Sequence, residues 1–228
     1  VPDPASSPVD DEIEKEKQLA AESAAELIKP GMLVGLGTGS TVAYLIPALA
    51  QRQLDITCVA TSPGTQARAE EAGLRVMPFD HIDHLDIAID GSDQVDSQHW
   101  LIKGGGGAHT REKIVAAAAE RFVVIVSSNK LVDRLHAPVP VELSPFGLAA
   151  LLRRRPDITL RHGAPPTPDG GVLADYTGPV DDAALLAADL GATAGIVAHG
   201  LFPPSMVTTV LVGHHPHVTS TTPAIPPT

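Results

Sequence analysis

A single cysteine, Cys58, stands in a chain of 228 residues, so no disulfide can form within it. Its setting in the apolar run 56–60 reads as a buried, inert thiol, and a reducing compartment is expected. Basic residues are also scarce. Sixteen Lys and Arg face 27 Asp and Glu, a formal net charge of −11. Phosphate backbones reward clustered cations, so no nucleic-acid partner is expected. A small phosphorylated ligand needs only a few local donors and stays open. No apolar run approaches the ~20 residues of a bilayer span. Residues 1–11 are rich in Pro, Ser and Asp and show no signal-peptide pattern, so a soluble, cytoplasmic protein without membrane association is expected. No serine sits in a nucleophile elbow, and no repeat is visible. The one His cluster, His214, His215 and His217, falls in a Pro- and Thr-rich tail, and neither a metal nor a cofactor is expected.

What is present is 43% hydrophobic residues, enough for one large domain or a domain with a smaller insert. Residues 1–10 and 214–228 are expected to be disordered tails. The spacing of Leu19, Ala20, Ser23, Ala24 and Leu27 predicts a helix over about 11–29, stopped by Pro30-Gly31. Short apolar strands at 32–36, 56–60, 74–77, 85–89 and 122–126 alternate with helical stretches, which implies parallel β-α-β units. After about residue 137 prolines interrupt the chain, and strands and helices mix. The expected architecture is α/β: a mostly parallel, Rossmann-like sheet flanked by helices over 11–136 plus 200–213, with a small inserted α+β domain over 137–199.

Chemistry concentrates in two places. The strand 32–36 runs into Gly37-Thr38-Gly39-Ser40-Thr41 and then a helix, a recipe for an anion site made of close backbone, hydroxyls and unpaired N–H groups. It is not a P-loop, because no Lys follows the last Gly in the required position. The second place is DGSDQVDSQHWLIKGGGGAHTREK, 90–113. Asp90 ends a strand, where open α/β sheets bind ligands. Asp90 and Asp93 flank a Gly, and nearby like charges separate their pKa values into acid and base roles. Lys103 precedes Gly104–Gly107, whose N–H groups can meet a developing oxyanion. Glu112 falls in a first helical turn, where a dipole alone would favour it.

With these residues in view, the chain resembles ribose-5-phosphate isomerase of the A type. The blocks VGLGTGST (34–41), DGSD (90–93), KGGGGAHTREKI (103–114), SSNKLVDRL (127–135), VPVEL (139–143) and GLF (200–202) appear in order, and the resemblance spans about 12–213. It implies interconversion of D-ribose 5-phosphate and D-ribulose 5-phosphate through a cis-enediolate, in the non-oxidative pentose phosphate pathway, without metal or organic cofactor. It implies Glu112 as the proton-transfer base, Asp90 as the group assisting ring opening, and Lys103 with Asp93 at O1 and O2. The backbone of Gly104, Gly105 and Gly106 is implied to join Lys103 and Asp93 at O1 and O2, and Gly91 and Ser92 to bind the substrate. Thr38, Gly39, Ser40 and Thr41 would cradle the phosphate, with Lys130 and, on the first helix, Lys17 as counter-charges. A homodimer or homotetramer is implied. Ser92 and Gln94 stand where the family pattern has Ala and Glu. A sugar-phosphate deaminase and a non-catalytic sugar-phosphate sensor are competing readings. The KGGGG…TRE block argues against the first, and the presence of Lys103 and Glu112 against the second.

Overall fold

The computed structural model describes residues 7–224. In chain order the elements are α1 (Pro8–Ala25), β1 (Leu33–Leu36), α2 (Ser40–Gln51), β2 (Thr57–Ala60), α3 (Pro63–Glu71), β3 (Arg75–Val76), β4 (Ile87–Asp90), β5 (Gln94–Val95), β6 (Leu101–Ile102), α4 (His109–Ala117), β7 (Phe122–Ser127), β8 (Val139–Leu143), α5 (Leu148–Arg154), β9 (Ile158–Leu160), β10 (Val172–Tyr176), α6 (Ala183–Ala192), β11 (Ile196–His199), β12 (Leu201–Phe202), β13 (Thr209–His214) and β14 (His217–Thr221). No described helix is long and apolar enough to cross a membrane.

The main sheet runs β14-β13-β7-β4-β1-β2-β3, and every pairing is parallel except that of β14 with β13. From β1 the chain winds out through β2 to β3. It then returns to β4 and winds the other way through β7 to β13. The direction reverses between β1 and β4, the place where such sheets take ligands. Both faces of the sheet are covered, because alternate residues point to opposite sides. Val123 and Ile125 of β7 join Ile87, Ile89, Leu45 and Leu49 on the α1–α2 side. Phe122, Val124 and Val126 join Val115, Phe202 and Val210 on the α4 side.

Two smaller sheets complete the molecule. An antiparallel sheet β11-β8-β10-β9 packs Val139, Val141, Leu143 and Ala174 against Leu186 and Leu190 of α6. A short sheet β12-β6-β5 links it to the main body.

Both expected tails differ from the structure where they are described. Residues 8–10 are already helical. Ser7 caps α1 by accepting from Asp10 N–H, the Asp10 carboxylate accepts from Ser7 N–H, and Pro8 opens the first turn. The helix then ends at Ala25, short of the expected 29, and Arg52 donates to the freed carbonyls of Ala25 and Ile28. At the other end, 217–221 is not loose. It forms β14 as an antiparallel edge of β13, with His214 opposite His217 across the turn at Pro216. Residues 1–6 and 225–228 lie outside the described residues.

Small residues let α1 lie close to the sheet. Ala20, Ala21 and Ala24 are fully buried. At Gly213 of β13 an added Cβ would stand 2.0 Å from the carbonyl oxygen of Glu16 and 2.8 Å from its Cα. Both neighbours are backbone, so the helix would have to move. Gly213→Ala should therefore lower the unfolding free energy by about 1–3 kcal/mol, measured by urea denaturation. An unchanged midpoint would show that α1 is not pinned at this point.

Candidate active site

The site forms where β1 and β4 part. β1 ends in Gly37, whose N–H donates to Ile89 O at 2.9 Å. A Cβ there would fall 1.9 Å from the Asp90 carboxylate, so only glycine lets this carboxylate lie against the turn. Thr38 N–H donates to Asp90 Oδ1 at 3.1 Å, and the Thr38 hydroxyl meets those of Thr61 and Thr65 at 2.8 and 3.2 Å. Gly39 turns the chain at φ 134° into α2, which begins without a side-chain cap. Its first amides are left for a ligand. A cavity of about 100 Å³ opens here. Its lining is Thr38, Gly39, Ser40, Thr41, Gly91, Ser92, Asp93, Lys103, Gly104, Gly105, Gly106, Glu112 and Lys130.

At the floor of the cavity two acids share one cation. Lys103 is 2% exposed, Asp90 3% and Glu112 4%. The ammonium lies 2.8 Å from Asp90 Oδ2 and 3.1 Å from Glu112 Oε2, and donates to Gly91 O at 2.6 Å. The Phe202 ring closes the far side, 5.5 Å from the nitrogen to its centroid. Two buried anions against one cation leave a net negative charge, which favours retention of a proton. Burial, and then the charge of Asp90, push Glu112 up to about 8. Burial also raises Asp90, but Lys103 and the amides of Gly91 and Thr38 oppose this by donating to it. Asp90 is thus the better hydrogen-bonded carboxylate, and Glu112 the one whose proton is held more tightly than an ordinary carboxylate's. The buried like-charge pair is Asp90 with Glu112, not Asp90 with Asp93. Asp93 is exposed, and its Oδ2 accepts from Gly105 N–H at 2.7 Å.

The glycine run contributes less uniformly than its composition suggests. Gly105 N–H is bonded to Asp93, and Gly107 N–H to Gly104 O at 2.9 Å. Gly107 also faces Leu173 rather than the cavity. Among the described residues, the amides of Gly104 and Gly106 are the two in the run without an acceptor. Beneath the loop, buried His109 is held neutral. Burial, and then the charges of Lys113 and Arg161, push it down to about 3.

Several supports had no sequence signal. Glu16 of α1 is buried and accepts from Ser128 N–H and Oγ at 2.8 and 2.7 Å, which sets the turn that carries Lys130. Gln94 both donates to His136 O and accepts from His136 N–H, each at 2.9 Å, an exchange that a carboxylate could not make. Ser92 Oγ bonds Gln94 O and Ile102 O at 2.7 and 2.9 Å. Lys113 follows Glu112 and donates to His199 O and Leu201 O at 2.6 and 2.9 Å, while burial pushes it down to about 8. Apart from those of Ser92, these partners lie 42 to 112 residues apart in the chain, beyond any local pattern.

Two candidates are not in the cavity lining: Asp90, which lies behind it against Lys103, and Lys17, whose ammonium bonds Glu14 at 2.6 Å. The tail histidines gather no ligand set, and no group of three His, Cys, Asp or Glu among the described residues could hold a metal. A larger cavity, about 670 Å³, lies on the other side of α4 between Met77, Phe79, Ile114 and Val197. It lacks the convergent buried charges of the smaller cavity, which is therefore the candidate site.

Comparison with known proteins points the same way. A sequence profile of the ribose 5-phosphate isomerase A (phosphoriboisomerase A) family matches residues 57–216. A ribose-5-phosphate isomerase A of Rhodopseudomonas palustris (strain HaA2) is 43% identical over 216 residues, 86% of this chain and 93% of its own. The structure of ribose 5-phosphate isomerase A from Methanocaldococcus jannaschii superposes with a TM-score of 0.85 at 35% identity, covering 90% of this chain and 97% of its own. A D-ribose-5-phosphate isomerase solved in complex with phospho-erythronic acid gives 0.86 at 33% identity, over 92% of this chain and 99% of its own.

The raised Glu112 has a consequence for stability. The folded chain keeps a proton that an ordinary carboxylate loses near 4.5, so stability falls as pH rises from about 4.5 to about 8 and levels off above. Glu112→Gln carries no charge to bury and leaves Lys103 with one matched anion. It should unfold at higher urea than the parent at pH 8.5, by on the order of 1–2 kcal/mol, with the gap closing by pH 5. A gap independent of pH would mean that Glu112 is not the protonated partner.

Proposed function

The chain belongs to the ribose 5-phosphate isomerase A family, and we propose that it interconverts D-ribose 5-phosphate and D-ribulose 5-phosphate through a cis-enediolate formed in this cavity. The observation that carries the reading is the buried Asp90–Lys103–Glu112 cluster, set beside the uncapped start of α2. In this reading Thr38, Gly39, Ser40 and Thr41 hold the phosphate through amides and hydroxyls, and Lys130 supplies the counter-charge. Asp90 assists opening of the furanose ring. Glu112 takes the proton from C2, and the electron pair forms the C1–C2 double bond while charge builds on O1. Lys103 and the free Gly104 and Gly106 amides stabilise that oxyanion. The O2 proton passes to O1, Glu112 returns its proton to C1, and the ketose is left with its carbonyl at C2. A base near 8 is matched to removing a weakly acidic carbon-bound proton and giving it back. Gly91, Ser92 and Gly105 shape the wall, with Asp93 holding Gly105 in place. The proposed cellular setting is the non-oxidative pentose phosphate pathway in the cytoplasm, with the chain as a homodimer or homotetramer.

Three outcomes are expected. Purified protein in D2O with EDTA should convert ribose 5-phosphate and place deuterium at C1 of the ketose, seen by NMR. Glu112→Gln should fold and lose at least about 100-fold in kcat, because an amide cannot accept the C2 proton; near-parental turnover would refute the assigned base. Lys130→Ala should raise KM about tenfold with kcat little changed. An unchanged KM would remove Lys130 from the phosphate site.

A further inference from the structure

Arg161 reaches the glycine run from the small antiparallel sheet. It follows β9, and its backbone N–H donates to Leu173 O at 3.0 Å, which continues the ladder to β10. Its guanidinium is gripped by Asp175 of β10, with Nε to Oδ2 at 2.8 Å and Nη2 to Oδ1 at 2.6 Å. The remaining nitrogen, Nη1, donates to Gly104 O at 3.0 Å and Gly105 O at 3.1 Å. Only a planar fork has the donors for both tasks at once.

We infer that Arg161 is a positioning residue for the reaction: it turns the two peptides after Gly104 and Gly105 so that the Gly106 N–H faces the reacting oxygens. The inference rests on the isomerase reading above. In a trans peptide the C=O and the following N–H point in opposite directions. Holding Gly104 O and Gly105 O on the Arg161 side therefore sends the amides of Gly105 and Gly106 to the other side. One of them is found on Asp93. The other has no acceptor among the described residues and belongs to a residue of the cavity lining. Glycines have no side chain to bias these peptides. The peptide after Gly104 is also held by Gly107 N–H and by Asp93, whereas the peptide after Gly105 has no other partner among the described residues; without Arg161 it can flip and offer a carbonyl where negative charge develops. Asp175 neutralises the guanidinium, so Arg161 contributes direction rather than attraction for the phosphate.

The test compares Arg161→Gln, Arg161→Lys and Asp175→Asn with the parent. Four quantities are read: kcat, KM, and the affinities for inorganic phosphate and for 4-phosphoerythronate, whose carboxylate stands in for the enediolate oxygens. All three variants should lower kcat, the Arg161 changes by roughly 10- to 100-fold, with KM within about threefold. Affinity for 4-phosphoerythronate should fall in parallel with kcat/KM, and inorganic phosphate should bind as before. Lysine should not rescue, because it cannot hold Asp175 and two carbonyls together. An unchanged kcat in the Arg161 variants overturns the inference. So does an equal loss of affinity for 4-phosphoerythronate and inorganic phosphate, which would mean general disorder. Asp175→Asn leaves the arginine in place and keeps the test open if the Arg161 variants do not fold. A parent that does not isomerise ribose 5-phosphate would sink the reaction reading instead, a result distinct from an active parent with an indifferent Arg161.

Discussion

The structure depends on keeping one ammonium dry between two carboxylates. An isolated buried charge costs several kcal/mol, and a buried pair is tolerated only when its remaining donors and acceptors are also met. Lys103 satisfies this through Asp90, Glu112 and the Gly91 carbonyl. Three elements must end at the same point to deliver them: the C-terminal end of β4, the residue after β6, and the first turn of α4. The short sheet β12-β6-β5 follows from the same need. It brings Gly200 against Lys103, with Lys103 N–H on Gly200 O at 2.8 Å, and lays Phe202 over the ammonium. A Cβ at position 200 would fall 2.1 Å from the Lys103 carbonyl. Burial, with the Asp90 charge beside it, makes Glu112 a weaker acid than an ordinary carboxylate.

Much of this was legible in the sequence because it is local. Asp90, Lys103 and Glu112 fall within one stretch, and the anion-binding turn is a five-residue motif between a strand and a helix. The strand–helix alternation announced the parallel sheet. The rest was hidden for identifiable reasons. Glu16, Gln94, Arg161 and Asp175 act through partners far along the chain, and each looks like an ordinary solvated residue in its own neighbourhood. Composition misled at both ends. The Pro- and Ser-rich start conceals a capping box, Ser7 to Asp10, that places the helix earlier than its apolar spacing does. The Thr-rich stretch after His214 lies at a sheet edge, where alternate residues face water and no apolar run is required.

The departures from the family pattern at 92 and 94 are absorbed by hydrogen bonding. Ser92 ties two carbonyls together, and Gln94 reads the His136 backbone through both ends of its amide. The charge that a glutamate would bring is replaced by a neutral group that satisfies donor and acceptor alike. Ser92 lines the cavity while Gln94 lies outside its lining, and with an amide at 94 the cluster around Lys103 is not asked to accommodate a third buried acid.

The meeting of Glu16 with Ser128 sets the order in which the site can assemble. Glu16 belongs to the first helix, Ser128 follows the central strand β7, and Gly213 of β13 lies against Glu16 while pairing in register with Ser127. The turn carrying Lys130 is therefore clasped by segments more than 80 residues away on either side. Contacts of such separation are the last to form. On a ribosome the acids and the lysine of the cluster emerge well before β13, yet the turn that carries Lys130 stays unbraced until that strand has docked. A partly made chain thus holds the buried cluster without the fixed Lys130 turn, and the two sides of the cavity come together only when synthesis has passed the last parallel strand.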